Sequence, residues 1–371
     1  MKIIDVRPIP LSVPLRPMSP PSAWALGLAK QVLVEVTTDE GIVGYGEAFA
    51  YGAPLAVANV IEESLRPSLI GADPTAIEPL VEKICRSMMI WGRRGLGMFA
   101  LSGVEIALWD IAGKARGAPV STLLGGSATP RVRAYASLLR FERPDEAARA
   151  SEQAVAQGYT ALKLHQIDLA SVRAARRAVG DRIELMLDVN CPWTPEEAIR
   201  QGRALAECNL TWLEEPVWPP DDYRGLAEVA SALETPVASG ENESTVHGFR
   251  ALVDARAADI VQPSVTKVGG LLEAKKICAL ARAANLRVVP HSFYLGPGMA
   301  ATLHLATSTP ECRLVELATF ELEESILDRP LAASGGWLEA PDRPGLGFGI
   351  NQDVVKRFPY GESGKKIFSL G

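Results

Sequence analysis

The sequence predicts an α/β chain: a barrel of strand–helix repeats, preceded by a smaller α+β segment and followed by an irregular tail. Three observations predict it. From about residue 131, short apolar or β-branched runs alternate with alanine-rich amphipathic stretches, the pattern of parallel strands joined by helices. Eight such runs occur: Val132–Ser137, Ala161–His165, Ile183–Val189, Thr211–Glu215, Pro236–Ser239, Asp259–Gln262, Leu286–Pro290 and Arg313–Leu317. A polar residue closes each one (Ser137, His165, Asp188, Glu214, Glu241, Ser264, His291, Glu316), and these recur in steps of 23 to 28 residues. A near-constant climb of one strand and return of one helix is what a closed barrel needs. An open doubly wound sheet is the alternative reading of the same alternation.

The elements follow in order. Residues 1–50 read as β. Val32-Leu33-Val34-Glu35-Val36 runs into the turn Thr38-Asp39-Glu40-Gly41, and Ile42 to Gly46 returns as a hairpin. Before it, Met18–Lys30 is a loop by its Pro, Ser and Gly content, and it carries Trp24. Residues 56–125 read as helical, with Ala100–Lys114 apolar at helical spacing. Among the repeats, Thr194-Pro195-Glu196-Glu197 is a capping box, and the helix Pro144–Gln157 stops at Gly158. After about residue 325, GGWLEAPDRPGLGFGIN is too irregular for another unit, so the tail is expected to return to the N-terminal segment. The expected division is 1–126, 127–325 and 326–371.

Composition excludes several classes. Lys plus Arg number 38 and Asp plus Glu 44, a net charge of −6 without a basic run, which disfavours nucleic acid and anionic membrane as partners. The five cysteines, Cys85, Cys191, Cys208, Cys278 and Cys312, are widely spaced with no CxxC pair, so neither a zinc knuckle nor a disulfide framework is supported. With no signal-peptide pattern in the N-terminal stretch and no 18-residue apolar run, the expectation is a soluble, reduced, cytoplasmic protein.

Three consecutive strands end in carboxylates: Asp188, Glu214 and Glu241. Charged groups at a barrel mouth are costly unless paired or bound to a cation. Three oxygen donors without Cys or His suit Mg²⁺, while pairing with Arg or Lys across the mouth is the alternative. Asn190, two residues beyond Asp188, is expected to support it from behind. Glu215 is expected to point to the other face of its strand and is set aside. Lys163 and His165 alternate, so both face one side, and His291 follows the seventh strand. A cationic Lys163 beside a metal would stabilise a developing enolate, and histidines exchange protons near neutral pH. His247 and His304 fall in helical patterns and are read as structural.

The chain resembles the mandelate racemase and muconate lactonizing enzyme group of the enolase superfamily. The stretch Ala100–Gly125 is similar to that family's N-terminal signature, and Asp188-Val189-Asn190 followed 26 residues later by Glu214-Glu215-Pro216 is similar to its second. The resemblance covers essentially the whole chain. It implies a modified TIM barrel, (β/α)7β, under an N-terminal α+β capping domain. It implies one Mg²⁺ on Asp188, Glu214 and Glu241, a small-molecule carboxylate substrate, and an even-numbered homo-oligomer. The shared step is abstraction of a proton α to a carboxylate. Specificity is implied for two cap loops, Pro17–Lys30 with Trp24 and Phe49–Pro54 with Tyr51. Glu316 matches an eighth-strand glutamate that acts as an electrophilic donor in some members.

The chain also departs from the pattern. The family's Lys-x-Lys reads Lys163-Leu164-His165, which puts His165 at the acid–base position. The partner of the seventh-strand histidine, usually Asp or Lys, is Ser264 here, and Lys267 lies three residues beyond that position. Without the carboxylate, His291 is expected to be a better acid than base. Two unequal histidines point to dehydration of a sugar acid or related hydroxy acid. A racemase, epimerase or cycloisomerase on a carboxylate remains the alternative, as does a barrel that binds an acid without turning it over.

Overall fold

The valine run of residues 32–36 becomes the middle strand of an antiparallel sheet. The structure, a computed structural model, describes residues 1–24, 27–126 and 130–361. Strands β1 (Ile3–Pro14), β2 (Leu28–Thr38) and β3 (Val43–Ala48) lie in that order. The expected hairpin is β2–β3: Thr38 Oγ1 donates to the Ile42 carbonyl at 2.9 Å, and Gly41 takes a φ of +79° that a side chain disfavours. The loop read as Met18–Lys30 ends earlier than its composition signals. Leu28 and Ala29 pair with Pro14 and Val13, so a partner strand overrides local propensity there. Ala25 and Leu26 of that loop lie outside the described residues. So do 127–129, where the expected junction falls, and 362–371 of the expected tail.

Both faces of this sheet are covered. On one lies the helix Leu96–Arg116, approached so closely that a Cβ on Gly46 would collide with the Gly103 carbonyl oxygen. That helix is long and apolar enough to cross a membrane, but 83% of its most apolar window is buried inside the protein, which makes it the core helix of the cap. On the other face, Leu11, Val13 and Leu33 pack against Leu322, just past the last barrel strand, and against Ile326 and Val354 of the tail. The tail also adds strand β12 (Trp337–Glu339), antiparallel to the first barrel strand, a pairing its irregular composition did not signal.

The eight expected runs form eight parallel strands: β4 (Arg131–Ser137), β5 (Ala161–Leu164), β6 (Glu184–Asp188), β7 (Leu213–Glu214), β8 (Val237–Ser239), β9 (Ile260–Val261), β10 (Arg287–Val288) and β11 (Leu314–Ala318). Their order is β10-β9-β8-β7-β6-β5-β4-β11, each neighbour pair joined by hydrogen bonds. Among the described residues no ladder joins β10 to β11. Instead the Ser292 N–H donates to Glu316 Oε2 at 2.9 Å, and Ser292 Oγ donates to the Glu316 carbonyl at 2.6 Å. Inside the curl sits a buried layer of Tyr135, Ala161, Met186, Trp212, Ala238, Ile260, Val289 and Leu314, one residue from each strand or its end. The capping box at Thr194 forms as read, with Glu197 N–H donating to Thr194 Oγ1 at 3.3 Å and Thr194 N–H to Glu197 Oε2 at 3.1 Å.

Two buried carboxyls tie the cap to the barrel. Glu105 accepts from the N–H groups of Leu271 and Leu272, at 2.7 and 2.8 Å, where the helix Leu271–Ala283 begins. Glu47 accepts from Gly298 N–H at 2.8 Å, where the helix Pro297–Thr307 begins. Free N–H groups and the positive end of a helix favour an acidic partner. Burial nevertheless pushes each carboxyl up to about 7, against the hydrogen bonds that lower it.

Candidate active site

Strand alternation brings every second residue back to the barrel axis. Two residues beyond the apolar layer therefore stand Ser137, Lys163, Asp188, Glu214, Gln262, His291 and Glu316. Each is buried. A polar layer at the C-terminal strand ends thus rests on an apolar floor.

Lys163 is the hub. Its Nζ lies 2.7 Å from Glu214 Oε1, 2.9 Å from Glu316 Oε1 and 3.5 Å from Asp188 Oδ2. Burial alone would lower this ammonium, but the surrounding carboxylates hold it well above the ordinary lysine value. Glu316 is fixed as well by Ser137 Oγ at 2.7 Å, and Lys163 and His291 hold it at about 2 against its burial. Glu214 takes a second hydrogen bond from Trp212 Nε1 at 2.8 Å.

Asp188, Glu214 and Glu241 each offer an oxygen within 4.8 Å of the other two. Around one octahedral Mg²⁺ adjacent oxygens lie about 3 Å apart and opposite ones about 4.2 Å, so the three carboxylates would have to draw together to share an ion. The charge count favours an ion there. The acidic groups of the cluster outnumber its two ammonium groups, Lys163 and Lys267, an excess that a cation would offset. Burial, together with the neighbouring Asp188, Glu316 and Glu241, holds Glu214 well above the carboxylate range even beside Lys163. Asp188 stays low although burial would raise it, because Lys163 and His165 face it.

The two histidines flank this cluster. His165 Nε2 lies 3.3 Å from Asp188 Oδ2, and its Nδ1 2.5 Å from the Leu138 carbonyl oxygen. Trp24 covers its ring, centroids 5.0 Å apart, and Arg140 lies over the indole at 5.4 Å while donating to the His165 carbonyl at 2.6 Å. His291 Nε2 lies 3.1 Å from Glu241 Oε2, and its Nδ1 3.2 Å from Ser264 Oγ and 3.4 Å from Tyr294 Oη. Burial lowers the His291 imidazole, against the pull of Glu241.

A cavity of about 670 Å³ opens above the cluster between barrel and cap. His165, Asp188, Glu241, His291 and Glu316 line it, as do Trp24, the half-exposed Tyr51 and Asn190. Ser264, expected on the substrate side, is fully buried behind His291 and bonded to Tyr294. Asn190 supports Asp188 through its backbone N–H at 2.9 Å, with a φ of +56° that turns its side chain toward the cavity. His247 and His304 stand on helices as expected, and His304 accepts from Ser121 N–H at 3.2 Å.

Among the cavity residues that escaped the sequence reading are Glu215 and Lys267. Glu215 does not turn away: its φ of +45° breaks the strand alternation and swings the side chain to the cavity wall. Burial, then Glu241 and Asp188, push its carboxyl up to about 8. Lys267, on the turn after β9, reaches Glu241 at 3.3 Å and lies over the Phe49 ring at 4.3 Å. A positive-φ signal is invisible for a glutamate, and a lysine in a turn has no strand phase to betray it.

The comparisons with known proteins agree with this geometry. Residues 3–125 match the mandelate racemase/muconate lactonizing enzyme N-terminal domain, and residues 145–354 the enolase C-terminal domain-like model. The chain belongs to the mandelate racemase/muconate lactonizing enzyme family of the enolase superfamily. It is 37% identical over 346 residues to D-galactarolactone cycloisomerase of Agrobacterium fabrum, covering 88% of this chain and 90% of that protein. It is 35% identical over 338 residues to arabinonate dehydratase of Saccharolobus solfataricus, again covering 88% and 90%. Among solved structures, a mandelate racemase/muconate lactonizing enzyme from Sulfitobacter sp. superposes with a TM-score of 0.89 at 32% identity, covering 100% of this chain and 99% of that one.

Proposed function

We propose that this protein removes the proton α to the carboxylate of a small hydroxy acid, with Mg²⁺ held by Asp188, Glu214 and Glu241, and that the overall reaction is dehydration of a sugar acid to its 2-keto-3-deoxy acid. Mg²⁺ in that position supplies Lewis-acid stabilisation of charge developing on the substrate carboxylate. Lys163, kept cationic by its carboxylate neighbours, adds fixed positive charge at the same place.

The unequal surroundings of the two histidines carry the reading. The Leu138 carbonyl accepts only, so His165 keeps a proton on Nδ1, and its Nε2, which faces Asp188 Oδ2 at 3.3 Å, would be released to act as a base once Asp188 is committed to the metal. The freed Nε2 takes the α-proton. On the opposite side, Glu241 also only accepts, so His291 carries a proton on Nε2, and a doubly protonated His291 gives that proton to the departing β-hydroxyl. The enol left behind tautomerises to the keto acid, so one substrate yields one keto acid and one water. Trp24 excludes solvent from the His165 face.

The cycloisomerase relative supports a second reading on the same first step: a racemase, epimerase or cycloisomerase of a carboxylate. The test is incubation of purified, Mg²⁺-loaded protein with a panel of aldonic and aldaric acids and their lactones in D₂O. A 2-keto-3-deoxy product supports dehydration. Deuterium at Cα of recovered or isomerised acid without loss of water supports the alternative, and neither signal on any acid overturns both.

A further inference from the structure

Glu215 is held in a way that leaves one oxygen to spare. Its Oε2 takes a hydrogen bond from Asn242 Nδ2 at 2.7 Å and a second from the Cys191 thiol at 3.3 Å. These two donors come from the segments after β8 and β6, so the carboxyl is clamped from both sides. Its Oε1 has no partner, although the residue is only 2% exposed and lines the cavity. A buried carboxyl oxygen without a partner is costly, so a clamp that enforces this arrangement implies that something fills the gap. On the same wall, Asn190 Oδ1 is another buried acceptor without a partner.

Resting on the function proposed above, we infer that Glu215 is a specificity-determining residue whose Oε1 reads a hydroxyl of the bound polyhydroxy acid, on the wall shared by β6, β7 and β8. A hydroxyl donates to a carboxylate oxygen and accepts from a carboxyl O–H, so it meets Oε1 in either protonation state. Glu215 lies outside the Asp188–Glu214–Glu241 set that could share an ion. Its contribution is therefore to the choice of substrate rather than to the metal. The substrate class that fits is an acid bearing a hydroxyl beyond the reacting carbons, on the side of the chain that faces this wall.

The experiment uses the full chain loaded with Mg²⁺ and carrying His165→Asn, so that binding is measured without turnover. Xylonate, arabinonate, galactonate and rhamnonate are titrated calorimetrically, followed by the singly deoxygenated forms of the tightest binder. The same series is repeated with Glu215→Met and, as an isosteric control, Glu215→Gln. Thermal melts and Mg²⁺ titrations report on folding and on the metal. The expected result is one deoxy position that weakens binding roughly ten- to a hundredfold with Glu215 present. That penalty shrinks with Gln and vanishes with Met, while Mg²⁺ affinity is unchanged. Equal deoxy penalties in all three proteins overturn this inference alone, as does a loss of Mg²⁺ affinity in Glu215→Met with the penalties intact. Failure of every acid to bind overturns this inference together with the function on which it rests.

Discussion

The Nδ1 atom of His165 lies 2.5 Å from the carbonyl oxygen of Leu138. This contact leaves Nε2, 3.3 Å from Asp188 Oδ2, as the nitrogen that faces the carboxylate cluster, and it fixes the plane of the ring against Trp24. His165→Asn removes that nitrogen and leaves Asp188, Glu214 and Glu241 in place. Turnover should fall by about 10²- to 10⁴-fold with Mg²⁺ affinity unchanged, read by keto-acid release and by calorimetry. Wild-type rates in that variant would remove His165 from the chemistry.

Glu214 sits between Lys163 Nζ and Trp212 Nε1, at 2.7 and 2.8 Å. Glu214→Gln keeps the shape and removes the charge. The fold should persist by circular dichroism, while Mg²⁺ binding weakens about a hundredfold or more, since even residues behind a metal ligand cost 10- to 100-fold. Unchanged Mg²⁺ affinity would exclude the site.

Ser264 Oγ is 3.2 Å from His291 Nδ1. A carboxylate introduced by Ser264→Asp would favour the imidazolium and make His291 a stronger base. Exchange of the α-proton in D₂O from the His291 side, followed by NMR, should rise several-fold over wild type, a modest pairing effect. Because Ser264 is fully buried against Tyr294, the larger side chain should also destabilise the fold by about 1–3 kcal/mol. No rise in exchange in a folded variant would contradict the role given to His291.

Glu47 and Glu105 titrate near 4.5 when unfolded and about 7 when folded, because burial penalises their charge. Between those values the folded chain holds protons that the unfolded chain has lost. Their contribution to stability is fully present below pH 4.5, declines as pH rises toward 7, and is level above that. The decline is on the order of 3 kcal/mol for each group. Urea midpoints at pH 5 and pH 8 should therefore differ less in Glu105→Gln than in wild type. An identical difference would show that Glu105 is ionised in the fold throughout.

The barrel was readable because its strands are buried on both sides and spaced by a regular return. Asp188, Glu214 and Glu241 were readable because a carboxylate after an apolar strand has few bland explanations. Glu215 was not, since the alternation rule assumes extended backbone, and this residue lies in the left-handed region at a φ of +45°. Lys267 was not, because a turn has no period. Ser264 was located correctly in the chain, but its place behind His291 depends on Tyr294, which reaches over from the segment after β10. The start of β2 at Leu28 depended on the pairing of Val13 and Pro14, a non-local choice that loop composition does not encode.

Glu47 and Glu105 also bear on how far the protein can be treated as two interchangeable parts. Each side chain belongs to the upper half yet terminates a helix in the lower one. A chimera that borrows the cap of a relative would inherit this chemistry only if the donor carries acids at both matching positions. Otherwise two helix starts are stranded in a dry interface, and the hybrid fails at the join before its new substrate preference can be measured.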